Sequence, residues 1–232
     1  MRRPARSGSS EWTRHFLYKR ECVKTTWKFR ALLLALAVLL VVATRPVWTR
    51  LLARPLVCGG TQQTGEAILI ENLEPEYLLF EHVALLRSRG LTGRVLVPVQ
   101  ASPDPRQPAQ LAGEVVAVMA RVARMPAPEI IPVREFEPLS LSVARQVRDF
   151  LLREHVASVT VVSPGFRSRR ADLVYRAVLA DAGIVSSCVA VFGPETPENW
   201  SDSWHGRQRV ALEVVKFLYY RLYVLPFLLR TP

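Results

Sequence analysis

Between residues 67 and 192, short apolar runs alternate with longer stretches in which apolar positions recur every three or four residues. Short runs suit strands buried on both faces, and the wider spacing suits helices that bury one face. Residues 67–70 (Ala-Ile-Leu-Ile) read as the first strand, followed by a helix over about 75–89 that Gly90 stops. Residues 94–99 form the next strand, whose Pro98 cannot donate to a ladder and predicts an edge or strand-end position. A Pro-rich loop over 101–108 precedes helical spacing at 111–124. Residues 129–133 are strand-like, 142–155 helical, and 158–163 a strand. A helix over 168–182 ends at Gly183, and 185–192 is the last clear strand. This order implies βαβ units, so the predicted fold class is α/β with a mostly parallel sheet covered on both faces.

Two apolar stretches lie outside that alternation. Residues 31–43 are uninterrupted, and at about 1.5 Å per residue they cover roughly 20 Å, less than the roughly 30 Å of a bilayer core. Their length alone also suits a signal-peptide core. Trp27 and Trp48 bracket the run about 32 Å apart if helical, where interfacial aromatics sit, and Lys28, Arg30 and Arg45 can snorkel outward. No Ala-x-Ala cleavage site follows promptly, and one N-terminal transmembrane helix is the expectation. The second stretch, 210–229, carries Glu213, Lys216, Arg221 and Pro226, which argue against a further span. A closing helix packed on the sheet is expected there, with a tail aromatic enough to lie against a bilayer as well.

The formal charge of +11 belongs to the N-terminal arm. Residues 1–30 hold nine Lys/Arg against Glu11 and Glu21, and Arg45, Arg50 and Arg54 follow without an acid between 31 and 60. The rest of the chain is nearly neutral. With no nucleic-acid-binding signature, no nucleic-acid partner is expected. The basic arm is instead expected to keep the N-terminus cytoplasmic, which would put the domain on the outer, extracytoplasmic side of the cell membrane. Cys22, Cys58 and Cys188 are odd in number and far apart, which reads as solitary thiols. No spacing of Cys or His suggests a metal, and no cofactor fingerprint follows the first strand, where Glu71-Asn-Leu-Glu74 stands in place of a Gly-rich loop.

Parallel sheets bind ligands beyond the C-terminal ends of their strands, which points to the loops at 71–74, 100–106, 134–142 and 163–170. The last of these, Ser163-Pro-Gly-Phe-Arg-Ser-Arg-Arg170, runs from a strand into a helix start that carries three guanidiniums. Unpaired N–H groups, the helix dipole and arginines together favour an anion such as phosphate. Arg167, Arg169 and Arg170 are either a phosphate clamp or surface arginines. Ser163 can donate to the anion, and Gly165 lets the backbone turn. Glu71 is the carboxylate candidate for acid–base work or a merely solvated side chain. Asn199, Trp200 and Trp204 precede the last helix, to stack on a sugar or to pack that helix on the sheet. Glu213 and Lys216, three apart on that helix, can form an i,i+3 pair, with a structural role expected over a catalytic one.

These motifs together resemble the ElyC/SanA/YdcF family of bacterial envelope proteins over roughly residues 65–220. The likeness rests on Ile68-Leu-Ile-Glu-Asn-Leu-Glu-Pro-Glu-Tyr77, on Ser163-Pro-Gly-Phe-Arg-Ser-Arg-Arg-Ala171, and on Glu198-Asn-Trp-Ser-Asp-Ser-Trp-His-Gly206 leading into Glu213. The resemblance implies a Rossmann-like three-layer sandwich and a setting in cell-envelope and peptidoglycan metabolism. This chain departs from the family in having Arg167 where a histidine is usual, Ala144 where an acid is usual, and Asn72 for a glycine. Losing an imidazole removes a proton-transfer group, while gaining a guanidinium favours anion holding.

The chain therefore divides into a basic arm (1–28), a transmembrane helix (29–48), a linker (49–65), the α/β domain (66–225) and a tail (226–232). The expected function is binding of a phosphorylated or diphosphate-containing envelope intermediate, lipid-linked ones included, at Glu71, Ser163, Gly165, Arg167, Arg169, Arg170, Asn199 and Trp200. Its partners are the membrane and that intermediate or its lipid carrier. The alternative is a non-catalytic envelope scaffold with a degenerate site.

Overall fold

The structure is a computed structural model that describes residues 27–59, 65–71, 76–101, 110–134 and 136–229. The basic arm up to residue 26, most of the loops expected at 71–74 and 100–106, and the last three residues of the tail lie outside these. Two units are distinct, residues 1–45 and 46–232. In the first, α1 (Trp27–Ala43) is a helix whose side chains are all exposed. It breaks at Thr44, close to Pro46, whose nitrogen has no hydrogen to continue the ladder. No single helix among the described residues is long and apolar enough to cross a membrane. Residues 27–43 and 47–56 reach that length and composition only as a broken pair.

The second unit begins with α2 (Arg45–Ala53) and a 3₁₀ turn (Arg54–Leu56), which corrects the expected linker. Ala53 and Leu56 are buried against Phe166, Trp200 and Val210, and the indole of Trp200 donates to the Thr49 carbonyl at 3.1 Å. Residues 49–58 are therefore part of the folded domain. Cys58 is disulfide-bonded to Cys188 with Cα atoms 6.3 Å apart, so the expectation of solitary thiols fails for these two. Sequence separation hid the pair. Docking of α2 brings Cys58 beside the last strand.

The strands β1 (Ala67–Ile70), β2 (Arg94–Gln100), β3 (Glu129–Val133), β4 (Ser158–Pro164) and β5 (Val185–Val191) form a parallel sheet in the order β3-β2-β1-β4-β5. Between them run α3 (Tyr77–Ser88), α4 (Gln110–Val122), α5 (Leu139–Arg153) and α6 (Ser168–Ala180). The α/β class read from the apolar pattern is the observed one, and its strand order is Rossmann-like. Alternate residues of β1 feed opposite cores. Ala67 and Leu69 pack with α5 and α6, whereas Ile68 and Ile70 pack with α3 and α4. Gly90 and Gly183, expected as helix stops, both take positive φ, a conformation nearly free of strain only for glycine. Helix α5 starts at Leu139, three residues earlier than expected.

Pro98 does not lie on an edge strand, because β2 runs between β3 and β1. Arg94 N donates toward β1 (to Glu66 O, 3.0 Å) and Ala101 N toward β3 (to Val133 O, 2.8 Å). By the two-residue period Pro98 faces β1, and pairing with β1 stops at Leu69 opposite Leu96. Its missing N–H falls where the shorter strand has ended. After β5, a 3₁₀ turn (Trp200–Asp202) leads into α7 (Trp204–Tyr219), which continues as a π-helical segment (Tyr220–Leu228). Tyr220 and Val224 enter the core beside α5 and α6, and Arg145 donates to the carbonyls of Leu228 and Leu229 at 2.8 and 3.0 Å.

A disulfide joining residues this far apart stabilises by about 2–4 kcal/mol. Replacing Cys58 and Cys188 with serine is expected to lower the Tm by about 5–15 °C. The unreduced, denatured chain should titrate one thiol, that of Cys22. Three titratable thiols would show that the pair is not bonded.

Candidate functional site

In a sheet of this order the loop after β1 leads to α3 on one face and the loop after β4 leads to α6 on the other, and the crevice between β1 and β4 is the expected ligand position. Both strands deliver a polar residue there. Glu71 continues the ladder beyond β1, its N–H donating to Val162 O at 2.9 Å. Ser163, in β4, donates its hydroxyl to Glu71 Oε2. Glu71 and Ser163 follow the core alternation of Leu69 and Val161, so both side chains project toward α6. Both are fully buried. The other carboxylate oxygen, Glu71 Oε1, has no hydrogen-bond partner among the described residues. Burial pushes the Glu71 carboxyl above its ordinary range, against the opposing pull of Arg167, Arg170 and the Ser163 hydrogen bond.

The chain then turns through a 3₁₀ segment, Gly165–Arg167, into α6. Gly165 is required there, because a Cβ would collide with the Phe192 ring. The Ser168 hydroxyl donates to Gly165 O at 2.5 Å and accepts from Cys58 N at 3.0 Å, fastening the turn to the segment after α2. This turn divides the three arginines. Arg169 is 45% exposed and pairs at 3.6 Å with Asp172 of its own helix, away from the cleft. Arg167 and Arg170 are buried and converge on Glu213 of α7.

Glu213 is the residue the sequence undervalued. It keeps the i,i+3 pair with Lys216 and is also a buried carboxylate facing three cations. Arg170 donates to Oε2 from Nε at 3.2 Å and from Nη2 at 3.1 Å. Arg167 Nε lies 3.9 Å from Oε1, and Lys216 Nζ lies 3.8 Å from it. Arg170 also donates to Ser140 Oγ at 2.5 Å and lies over the Tyr220 ring, 5.4 Å from its centre. The Tyr220 hydroxyl in turn accepts from Ser140 N at 2.9 Å. Ala144, where the family resemblance leads one to expect an acid, is fully buried in apolar core.

Outside this cluster a cleft of about 780 Å³ opens between the Gly165 turn, the segment after β5 and α7. Arg167, Glu213 and Lys216 belong both to its wall and to the cluster, whereas Glu71, Ser163 and Arg170 stand behind the wall. His205 and Arg209 also line it, and Arg209 is paired with Glu195 at 2.9 Å. The α7 residues in the wall, His205, Gln208, Arg209, Leu212 and Lys216, recur at helical spacing. That periodicity was available in the sequence. Asn199 and Trp200 have other tasks. Asn199 Oδ1 accepts from Thr196 N at 2.6 Å and its Nδ2 donates to Pro194 O, closing a turn, while Trp200 packs under α2.

Chemically, the arrangement suits holding an anion. The cleft offers the Arg167 guanidinium and the Lys216 ammonium, both anchored by one carboxylate. Glu71 and Ser163 have no access to a ligand in the cleft, and a proton on Glu71 would remain inside. Among the described residues no group of three His, Cys, Asp or Glu side chains is disposed to hold a metal ion.

Because the folded state holds the Glu71 proton more tightly, the stability linked to it is complete below the ordinary carboxyl range. It is lost as pH rises through the elevated value. Glu71→Gln, a neutral isostere, is expected to remove that slope. Urea unfolding between about pH 4 and 8 should show the variant gaining on the wild type as pH rises. Parallel pH profiles would mean that Glu71 ionises normally.

No family model, curated protein or solved structure matches this chain.

Proposed function

We propose that this chain is an envelope protein of the ElyC/SanA/YdcF kind, anchored by the helix around residues 29–48 with its α/β domain on the outer side of a bacterial membrane. In this reading the cleft binds a phosphorylated or diphosphate-containing envelope intermediate. The observation that carries it is Arg167, buried yet in the cleft wall at the crevice beyond β1 and β4. A buried guanidinium presents a fork matched to phosphate oxygens, and the low local dielectric strengthens each charge-assisted bond. Lys216 supplies a second, more mobile charge at the rim.

Two further observations support the setting. The apolar side chains of α1 are exposed along its whole length, as a bilayer-embedded helix requires. The Cys58–Cys188 disulfide suits an oxidising compartment, in keeping with an outward domain. Burial of Glu71 and Ser163 favours binding without turnover, which keeps the non-catalytic variant of this reading alongside the principal one.

Removing a charge-assisted hydrogen bond costs about 1.5–3 kcal/mol, or about 10- to 150-fold in affinity. Titration calorimetry with pyrophosphate and with a nucleoside-diphosphate sugar should show that loss for Arg167→Gln and no change for Arg169→Gln. Circular dichroism would verify folding. Equal affinity for the wild type and a folded Arg167→Gln would end this reading.

A further inference from the structure

The helix that closes the cleft turns an apolar face outward. Along α7 and the π-helical segment, the inward positions Val210, Glu213, Tyr220 and Val224 are buried. The outward positions are not the polar residues that a surface helix normally shows. Leu212, Val215 and Leu222 are exposed, and Tyr219, Tyr223 and Phe227 are 46%, 50% and 64% exposed. These three rings form a ladder, with centres 5.6 Å apart for Tyr219 and Tyr223 and 5.8 Å apart for Tyr223 and Phe227. Residues spaced by four share one side of a helix. A contiguous apolar face of this kind marks a contact surface.

Charge identifies the occupant. Between Trp204 and Leu228 the chain has one acid, Glu213, and it is buried under Arg170. Arg207, Lys216 and Arg221 are exposed along the same helix, and Arg221 lies over the Phe217 ring at 5.9 Å. Lys216 thus flanks the aromatic and aliphatic face, Arg207 and Arg221 lie farther round the helix, and the helix exposes no carboxylate. That combination fits an anionic bilayer surface, where apolar side chains enter the acyl boundary and cations meet headgroups. A second copy of the same helix would oppose cation to cation.

We propose that the outward face of α7 and its π-helical extension docks on an anionic bilayer surface, with Tyr219, Tyr223 and Phe227 at the interface. Leu212 and Lys216 belong both to this helix surface and to the cleft wall, so docking brings the cleft mouth to headgroup level. The ligand class narrows accordingly to phosphate or diphosphate groups carried on membrane lipids. This inference rests on the anchored reading proposed above.

The test uses the full chain in nanodiscs, with Cys22→Ser leaving one introduced thiol for a fluorophore at Tyr223→Cys or, as a control, at Ser88→Cys on α3. An interfacial helix settles about 5–10 Å into the headgroup and acyl boundary, so bromine on the upper acyl chain should quench the label at 223 about threefold more than at 88. The difference should shrink when phosphatidylglycerol is replaced by phosphatidylcholine. It should vanish on adding Val215→Asp and Leu222→Asp, both at exposed positions. Equal quenching at the two labels, or transfer between labels at 223 in discs loaded with two copies, overturns the docking face. A chain that leaves the disc fraction overturns the anchored reading with it. Loss of pyrophosphate binding with quenching intact would count against the cleft alone.

Discussion

The buried pair between Arg170 and Glu213 fixes the relative placement of nearly everything near the cleft. It joins α6 to α7, and through Ser140 and Tyr220 it also engages the start of α5 and the π-helical segment. Taking two charges out of water is costly, and their attraction compensates only when further hydrogen bonds satisfy them. Here the guanidinium has Glu213, Ser140 and the Tyr220 ring, so desolvation is met on several sides. Removing one member of such a pair typically costs about 3–5 kcal/mol, because the other charge is stranded. A well-packed apolar replacement of both is often neutral. The pair therefore serves position more than stability: apolar side chains in its place would hold the helices together without anchoring Arg167 and Lys216 on one carboxylate.

The two carboxylates then divide the electrostatic work. Glu213 shares its charge among Arg170, Arg167 and Lys216, which leaves cationic capacity at the cleft wall. Glu71 is deeper, and burial favours its neutral form. A neutral Glu71 gives the cluster an excess of positive charge; an ionised Glu71 would reduce it from within. An anion held in the cleft would therefore compete with ionisation of a carboxyl that it does not touch. The Ser163 hydroxyl, held by Glu71, is part of the scaffold and not a nucleophile awaiting substrate.

The sheet was legible because its strands are apolar on both faces and its helices are punctuated by Gly90 and Gly183. Pro98 is tolerated in an interior strand, not at an edge, because β1, the neighbour that it faces, is only four residues long and ends before it. At the site, local signals located the Gly165 turn and Arg167 but gave three arginines equal standing. Which guanidinium is exposed depends on where α7 lies, a long-range fact. The same long-range packing made Glu213, legible only as half of a pair with Lys216, the hub of the cluster, and joined Cys58 to Cys188. Conversely, Asn199 and Trp200 looked available only because the turn at Thr196 and the docking of α2 leave no local trace.

The segment from α2 to Cys58 bears on the site through these same contacts. The Thr49 carbonyl accepts from the Trp200 indole, Leu56 packs with Phe166 and Val210, and Cys58 N donates to Ser168 Oγ while the Cys58 sulfur is bonded to β5. Ser168 is the residue between Arg167, in the cleft wall, and Arg169, outside it. Its hydroxyl holds Gly165 O and Cys58 N at once, so the turn that separates the arginines is braced by a segment over a hundred residues away. The covalent bond to Cys188 makes that brace independent of the modest apolar cluster under α2. Without it, pulling on α2 would act directly on the helix start that positions Arg167.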